Sequence, residues 1–146
     1  MTDPVIYPSQ NHSNRGFFDA AASGTLALPT CAACGHQWFP PAGRCPRCLD
    51  HAVWFKPASG RASLWSWVVM HRQYFPQFPA PYPVIMAQLQ EGPLVVSTIA
   101  QPYRHVPLRC GLALQAVFVP SIDGRPLLAF RPLDDSVVES SSRPSA

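Results

Sequence analysis

Two cysteine pairs, Cys31-Ala-Ala-Cys34 and Cys45-Pro-Arg-Cys48, separated by ten residues, constrain this chain more than any other feature. A C-x-x-C turn folds back tightly enough to aim two thiolates at one ion. Two such turns on neighbouring hairpins complete a tetrahedral Cys₄ site, the arrangement that Zn²⁺ prefers. Gly35 relieves the first turn sterically, and Pro41, Gly43 and Pro46 punctuate the second. The spacing therefore predicts one structural Zn²⁺ held by Cys31, Cys34, Cys45 and Cys48. Two disulfides would need an oxidising compartment, and the N-terminus carries neither a basic nor an apolar leader region. A redox C-x-x-C would need a βαβ setting, which the pattern lacks. Four protein ligands leave the ion no open position, so it is expected to hold structure and to do no chemistry.

A ribbon of this size has little core, so the rest of the 146 residues must supply one. From Gly60 onward short β-rich runs alternate with turn signals. They are Ala62–His71, Val84–Gln90, Leu94–Ala100, Leu112–Val119 and Pro126–Phe130, with Glu91-Gly92-Pro93 and Asp123-Gly124 as turns. Leu64 and Ser66 alternate against Trp65 and Trp67, which suggests a long, two-faced first strand. Five strands led by one long strand fit an OB-type barrel. The expected fold is mainly β: an N-terminal extension and helix over 1–25, a rubredoxin-like zinc ribbon over 26–58, a five-stranded OB-fold barrel over 59–133, and a mobile acidic, then Ser-rich tail over 134–146. Within the ribbon, Gln37-Trp38-Phe39 reads as a strand, and so does Val53-Trp54-Phe55.

The helix is expected over Arg15–Ala22, capped by Ser13 or Asn14 and stopped at Ser23-Gly24. Its apolar side, Phe17, Phe18, Ala21 and Ala22, either packs on its own domain or docks on another subunit. The segment Tyr74–Pro83 stands out as well, with four prolines and four aromatics in ten residues. Proline stiffening lowers the ordering cost of binding, and exposed aromatics are common interface anchors. Phe75, Phe78 and Tyr82, together with Phe17 and Phe18, are the candidate partner contacts. Charged residues make up only 13% of the chain, against about 25% in ordinary domains, which favours a surface partly covered by a partner.

The formal charge is +3. Four thiolates and one Zn²⁺ lower it by two, to about +1. The single lysine, Lys56, and the ten arginines are scattered, so a basic groove for nucleic acid is not expected. No apolar run is long enough to span a membrane, and a cytoplasmic location is expected. Cys110 is the one cysteine outside the pairs. His105 and Arg109 are near it in sequence, but the plainer reading is a small apolar filler at the start of a strand. No nucleophile elbow, phosphate loop or carboxylate pair is present, so no catalytic residue is assigned.

In order, Cys31-x-x-Cys34-Gly35, Phe39-Pro40-Pro41, Cys45-Pro46-x-Cys48, Gly60, Met70-His71, Pro81-Tyr82-Pro83, Glu91-Gly92-Pro93, Gly111 and Phe130-Arg131-Pro132 make the chain resemble the zinc-ribbon/OB-fold acyl-CoA-associated proteins, once described only as a domain of unknown function. Cys110 departs from the pattern. The resemblance covers about residues 17–132. It implies a non-catalytic accessory subunit of a thiolase-fold enzyme complex acting on acyl-CoA or acyl-carrier substrates, with acyl-CoA at a shared interface. The partner chemistry it implies is thiolysis, C-acylation, condensation or retro-aldol cleavage. Two other readings stay open. One is a stand-alone acyl-CoA-binding protein or enzyme. The other is an OB-fold binder of single-stranded nucleic acid that stacks bases on Trp65, Trp67 and Tyr74.

Overall fold

The structure is a computed structural model that describes residues 7–133. The expected tail over 134–146 lies outside the described residues. One helix, α1 (Arg15–Ala22), precedes seven strands: β1 (Ala27–Cys31), β2 (Val53–Pro57), β3 (Arg61–Met70), β4 (Tyr82–Leu89), β5 (Leu94–Ser97), β6 (Ala113–Pro120) and β7 (Pro126–Pro132). β1 and β2 form an antiparallel ladder from Ala27↔Pro57 to Cys31↔Val53. The other five strands curl into a half-barrel in the order β5-β4-β3-β6-β7.

The two ends of that sheet meet over a short stretch. Ile99 bridges Phe130 in parallel. Phe130 N–H donates to Thr98 O at 2.9 Å and Ala100 N–H to Phe130 O at 2.9 Å. The chain after Ser97 therefore leaves β4 and joins β7. This is why β5 is shorter than the apolar run through Ala100 predicts.

β3 corrects the expected alternation. Its register with β4 shifts between Leu64↔Ala87 and Ser66↔Met86, so Trp65 is an extra residue at a bulge and is 56% exposed. A bulge exchanges the faces of everything beyond it. Trp67 and Val69 thus pair with the buried Ile85 and Pro83, while Ser66 and Val68 pair with Met86 and Val84 on the outer side. The outer side continues through Met86↔Val96 on β5.

Gln37-Trp38-Phe39 is not a strand. Only an isolated bridge, Thr30↔Gln37, forms there, because Pro40 and Pro41 follow at once and donate no amide. Trp38 instead packs with Cys31, Cys45 and Val53 as a small cluster.

α1 packs on its own domain. Phe17 is buried, and its ring lies 5.2 Å from Phe18, 5.7 Å from Phe39 and 6.2 Å from Phe118. Gly16 faces Phe55 so closely that a Cβ there would overlap its ring. Gly24, at φ +78°, follows the last turn, as expected. Asn14 holds the N-cap position without a side-chain cap bond; its Oδ1 accepts from Asn11 N–H at 2.8 Å instead.

Leu26 and Leu28 of the ribbon's stalk, and Phe17 of α1, share one buried cluster with Leu64, Ile85, Val95, Leu112, Leu114 and Phe130. The barrel's core therefore does not come from its own strands alone.

Candidate functional site

The two knuckles repeat one hydrogen-bond plan. Gly35 N–H donates to Cys31 O at 2.9 Å, and Leu49 N–H to Cys45 O at 2.9 Å. Cys31 N–H donates to His36 O at 2.9 Å, and Cys45 N–H to Asp50 O at 3.0 Å. Backbone amides also point at sulfur: Cys34 N–H lies 3.5 Å from Cys31 Sγ, and Arg47 N–H 3.4 Å from Cys45 Sγ. Asp50 Oδ1 accepts from Ala52 N–H at 2.7 Å, which closes the second knuckle onto β2.

All four Sγ atoms lie within 4.8 Å of one another. Cys31 Sγ and Cys48 Sγ are 3.5 Å apart, and Cys34 Sγ and Cys45 Sγ 3.6 Å. Four sulfurs about 2.3 Å from a tetrahedral Zn²⁺ would be about 3.8 Å from one another. Disulfide sulfurs would be about 2.05 Å apart. The donor set therefore fits one Zn²⁺ and no disulfide.

The thiols' electrostatics point the same way. Burial pushes Cys45 up, but the Cys48 and Arg47 amides and the neighbouring thiols outweigh it and bring it down to about 7. The Asp50 amide lowers Cys48, but Cys31, burial and the other two thiols outweigh it and push it up to about 12. One thiolate is favoured and the next is opposed. A divalent cation removes that opposition, since metal binding deprotonates its thiol ligands.

Leu49 occupies the second knuckle's counterpart of Gly35. Its φ is +66°, beside +75° for Gly35, and its side chain is 61% exposed. The left-handed conformation costs an L-residue about 1–2 kcal/mol, and glycine's extra chain entropy offsets about 0.5–1 kcal/mol of the relief. Leu49→Gly is therefore expected to stabilise the zinc-loaded protein by about 0.5–1 kcal/mol, read as a higher denaturant midpoint. An unchanged or lower midpoint would remove backbone strain as a property of this turn.

The histidines and Cys110 lie apart from the sulfurs' plan. His36 stacks on Trp38 at 6.1 Å, and His51 Nε2 lies 2.6 Å from Arg44 Nη2. Cys110 is exposed, which corrects its reading as an apolar filler. Its Sγ lies 3.6 Å from Trp65 O, beside the bulge. Cys110→Ala removes only this weak contact and is expected to shift stability by no more than about 0.5 kcal/mol in thermal unfolding.

The candidate partner contacts separate into two groups. Phe17 is buried within this chain and Phe18 packs partly buried beside it, so the expectation of an exposed anchor on α1 is corrected. Phe75 is 46% exposed. Phe78 is half-buried, with its ring 6.3 Å from Tyr82, the first residue of β4. Sequence reasoning missed the stripe that extends from Tyr82 along the outer sheet face: Val68, Val84, Met86, Val96 and Leu94. Val68 is 57% and Val96 62% exposed. The apolar residues were visible, but the bulge in β3 that turns Val68 outward beside Val84 was not. No helix among the described residues is long and apolar enough to cross a membrane.

Comparison with known proteins agrees with this geometry. Residues 18–53 match the family described as "ChsH2, rubredoxin-like zinc ribbon domain", and residues 55–119 match "ChsH2, C-terminal OB-fold domain". A solved structure described as "Ltp2-ChsH2(DUF35) aldolase" is similar at TM-score 0.79 and 27% identity, covering 88% of this chain and 100% of that one. A protein with unknown function from the DUF35 family of Sulfolobus solfataricus shares the fold at TM-score 0.60 and 13% identity, covering 84% of this chain and 87% of that one. A Thermomonospora curvata protein called "Probable enoyl-CoA hydratase alpha subunit" is 33% identical over 92 residues. That match covers 63% of this chain but only 29% of the relative, so the chain spans less than a third of its length. With both of its layers matched in order, ribbon then barrel, the chain belongs to the ChsH2-type zinc-ribbon/OB-fold family.

Proposed function

We propose that this chain is a non-catalytic accessory subunit of an enzyme that acts on acyl-CoA substrates, and that its partner is a thiolase-fold subunit whose active-site entrance it scaffolds or gates. The observation that carries the reading is the similarity to the Ltp2-ChsH2(DUF35) aldolase, a neighbour named as two components, over the whole of the matched chain. The relative named as a hydratase alpha subunit is a second protein named as part of an assembly.

The chain's own surface supports a partner. The stripe from Val68 to Val96 and Leu94 carries no charge, and the aromatic loop adjoins it at Tyr82. Exposed apolar area of this kind is the usual mark of an interaction face. Phe75, Phe78 and Tyr82 are the proposed anchors.

Co-expression of the tagged chain with a thiolase-fold enzyme from the same organism tests the reading. A stoichiometric complex whose acyl-CoA activity exceeds that of the enzyme alone is expected. Purification of the chain alone, with the enzyme fully active without it, would defeat the proposal. Weak, salt-sensitive binding to single-stranded DNA is expected in the same preparations, given a net charge near about +1. Sub-micromolar binding at physiological salt would favour the nucleic-acid reading instead.

A further inference from the structure

A cavity of about 290 Å³ opens at the end of the half-barrel, away from the zinc. Its walls are Trp67 and Val69 from β3, Pro83 from β4, and Ile99, Val106 and Leu108 from the segment that leads to β6. The bulge at Trp65 is what turns Trp67 and Val69 toward it. The one charged residue in its lining is Arg104.

Arg104 is half-buried. Its Nε donates to Ile99 O at 3.1 Å, which fixes the guanidinium at the cavity and leaves its two terminal nitrogens for another group. Burial lowers its pKa, and no carboxylate among the described residues contributes to the shift. The cavity's walls come from residues 67–108, which contain one acid, Glu91, and it is not in the lining. A half-buried guanidinium without a counter-ion costs free energy. Its planar fork matches a carboxylate in two parallel hydrogen bonds. Apolar walls with one fixed cation recognise a molecule with an apolar body and an anionic head.

We propose that this cavity binds a small amphipathic carboxylate, with the head on Arg104 and the body along Trp67, Val69 and Val106. Every residue that lines the cavity belongs to this chain, Tyr82 among them, so the site adjoins the proposed partner contacts.

The test uses the zinc-loaded chain, labelled with ¹⁵N, titrated with decanoate and, as the uncharged control, with decan-1-ol. Decanoate is expected to move the Trp67 indole and the Val69 and Val106 amides saturably. Arg104→Gln is expected to weaken decanoate at least about tenfold, because a charged hydrogen-bonded pair is lost, and to leave decan-1-ol unchanged. Equal decanoate affinity in wild type and Arg104→Gln, or no saturable shift in the wild type, would overturn the proposal. Should Arg104→Gln fail to fold, Val69→Trp fills the cavity from an exposed position and keeps the arginine. Loss of decanoate binding in a folded Val69→Trp protein supports the site, and retained binding overturns it.

Discussion

Chelation of the zinc is expected to unfold residues 31–52 while β3–β7 stay folded. The ribbon's own buried cluster is Cys31, Trp38 and Cys45, with Val53 packed against it, too little to order two knuckles without metal. Structural Zn²⁺ in such sites supplies about 10–16 kcal/mol of apparent binding free energy at neutral pH. Cys34→Ser removes one thiolate and should reduce the metal content well below the roughly one ion per chain of the wild type. Hydrogen exchange locates the effect. Protection of the Cys31, Gly35, Cys45 and Leu49 amides, whose acceptors lie inside the knuckles, should disappear. Protection in β3 and β4 should remain. Acidification should release the metal by the same route, since each thiolate must be protonated as zinc leaves. Purified protein with two disulfides and no zinc would contradict this account of the fold.

Replacing Phe75 and Phe78 by alanine is expected to weaken assembly with the partner subunit about 100–1000-fold while the isolated chain stays folded. Phe75 is 46% exposed and Phe78 half-buried, and neither belongs to the central core. Each buried aromatic anchor contributes about 2 kcal/mol or more at an interface, and every 1.4 kcal/mol is about tenfold in affinity. Partner activity should fall with assembly and recover at high subunit concentration. Unchanged affinity in the double variant, or unfolding of the free chain, would make the loop a cap of its own domain and move the interface elsewhere.

Much of the architecture could be read from local chemistry. The metal set depends on spacing within 18 residues, α1 on its stop at Ser23-Gly24, and β2 and the barrel strands on apolar runs between turn residues, whereas β1, which carries Pro29 and Thr30, does not read as a strand. What could not be read depends on distant partners. Trp65 looks like any alternating strand residue until β4 pairs past it and shifts the register. The run through Ala100 looks like one strand until Ile99 meets Phe130. Phe17 belongs to an apolar helix face in either reading, and only Phe39 and Phe118 decide whose core it enters. Arg104 could not be singled out in the sequence, because its significance lies in its place at the cavity's edge beside Ile99.

The buried cluster that joins Leu26 and Leu28 to Leu64 and Phe130 has a mechanical consequence. β1 and β2 are the struts that carry the knuckles, and β1 is buried along its whole length. No joint separates the metal from the curled sheet. A neighbour that grips the knuckles thereby sets the tilt of the sheet as well, as the short arm of a set square sets the long one.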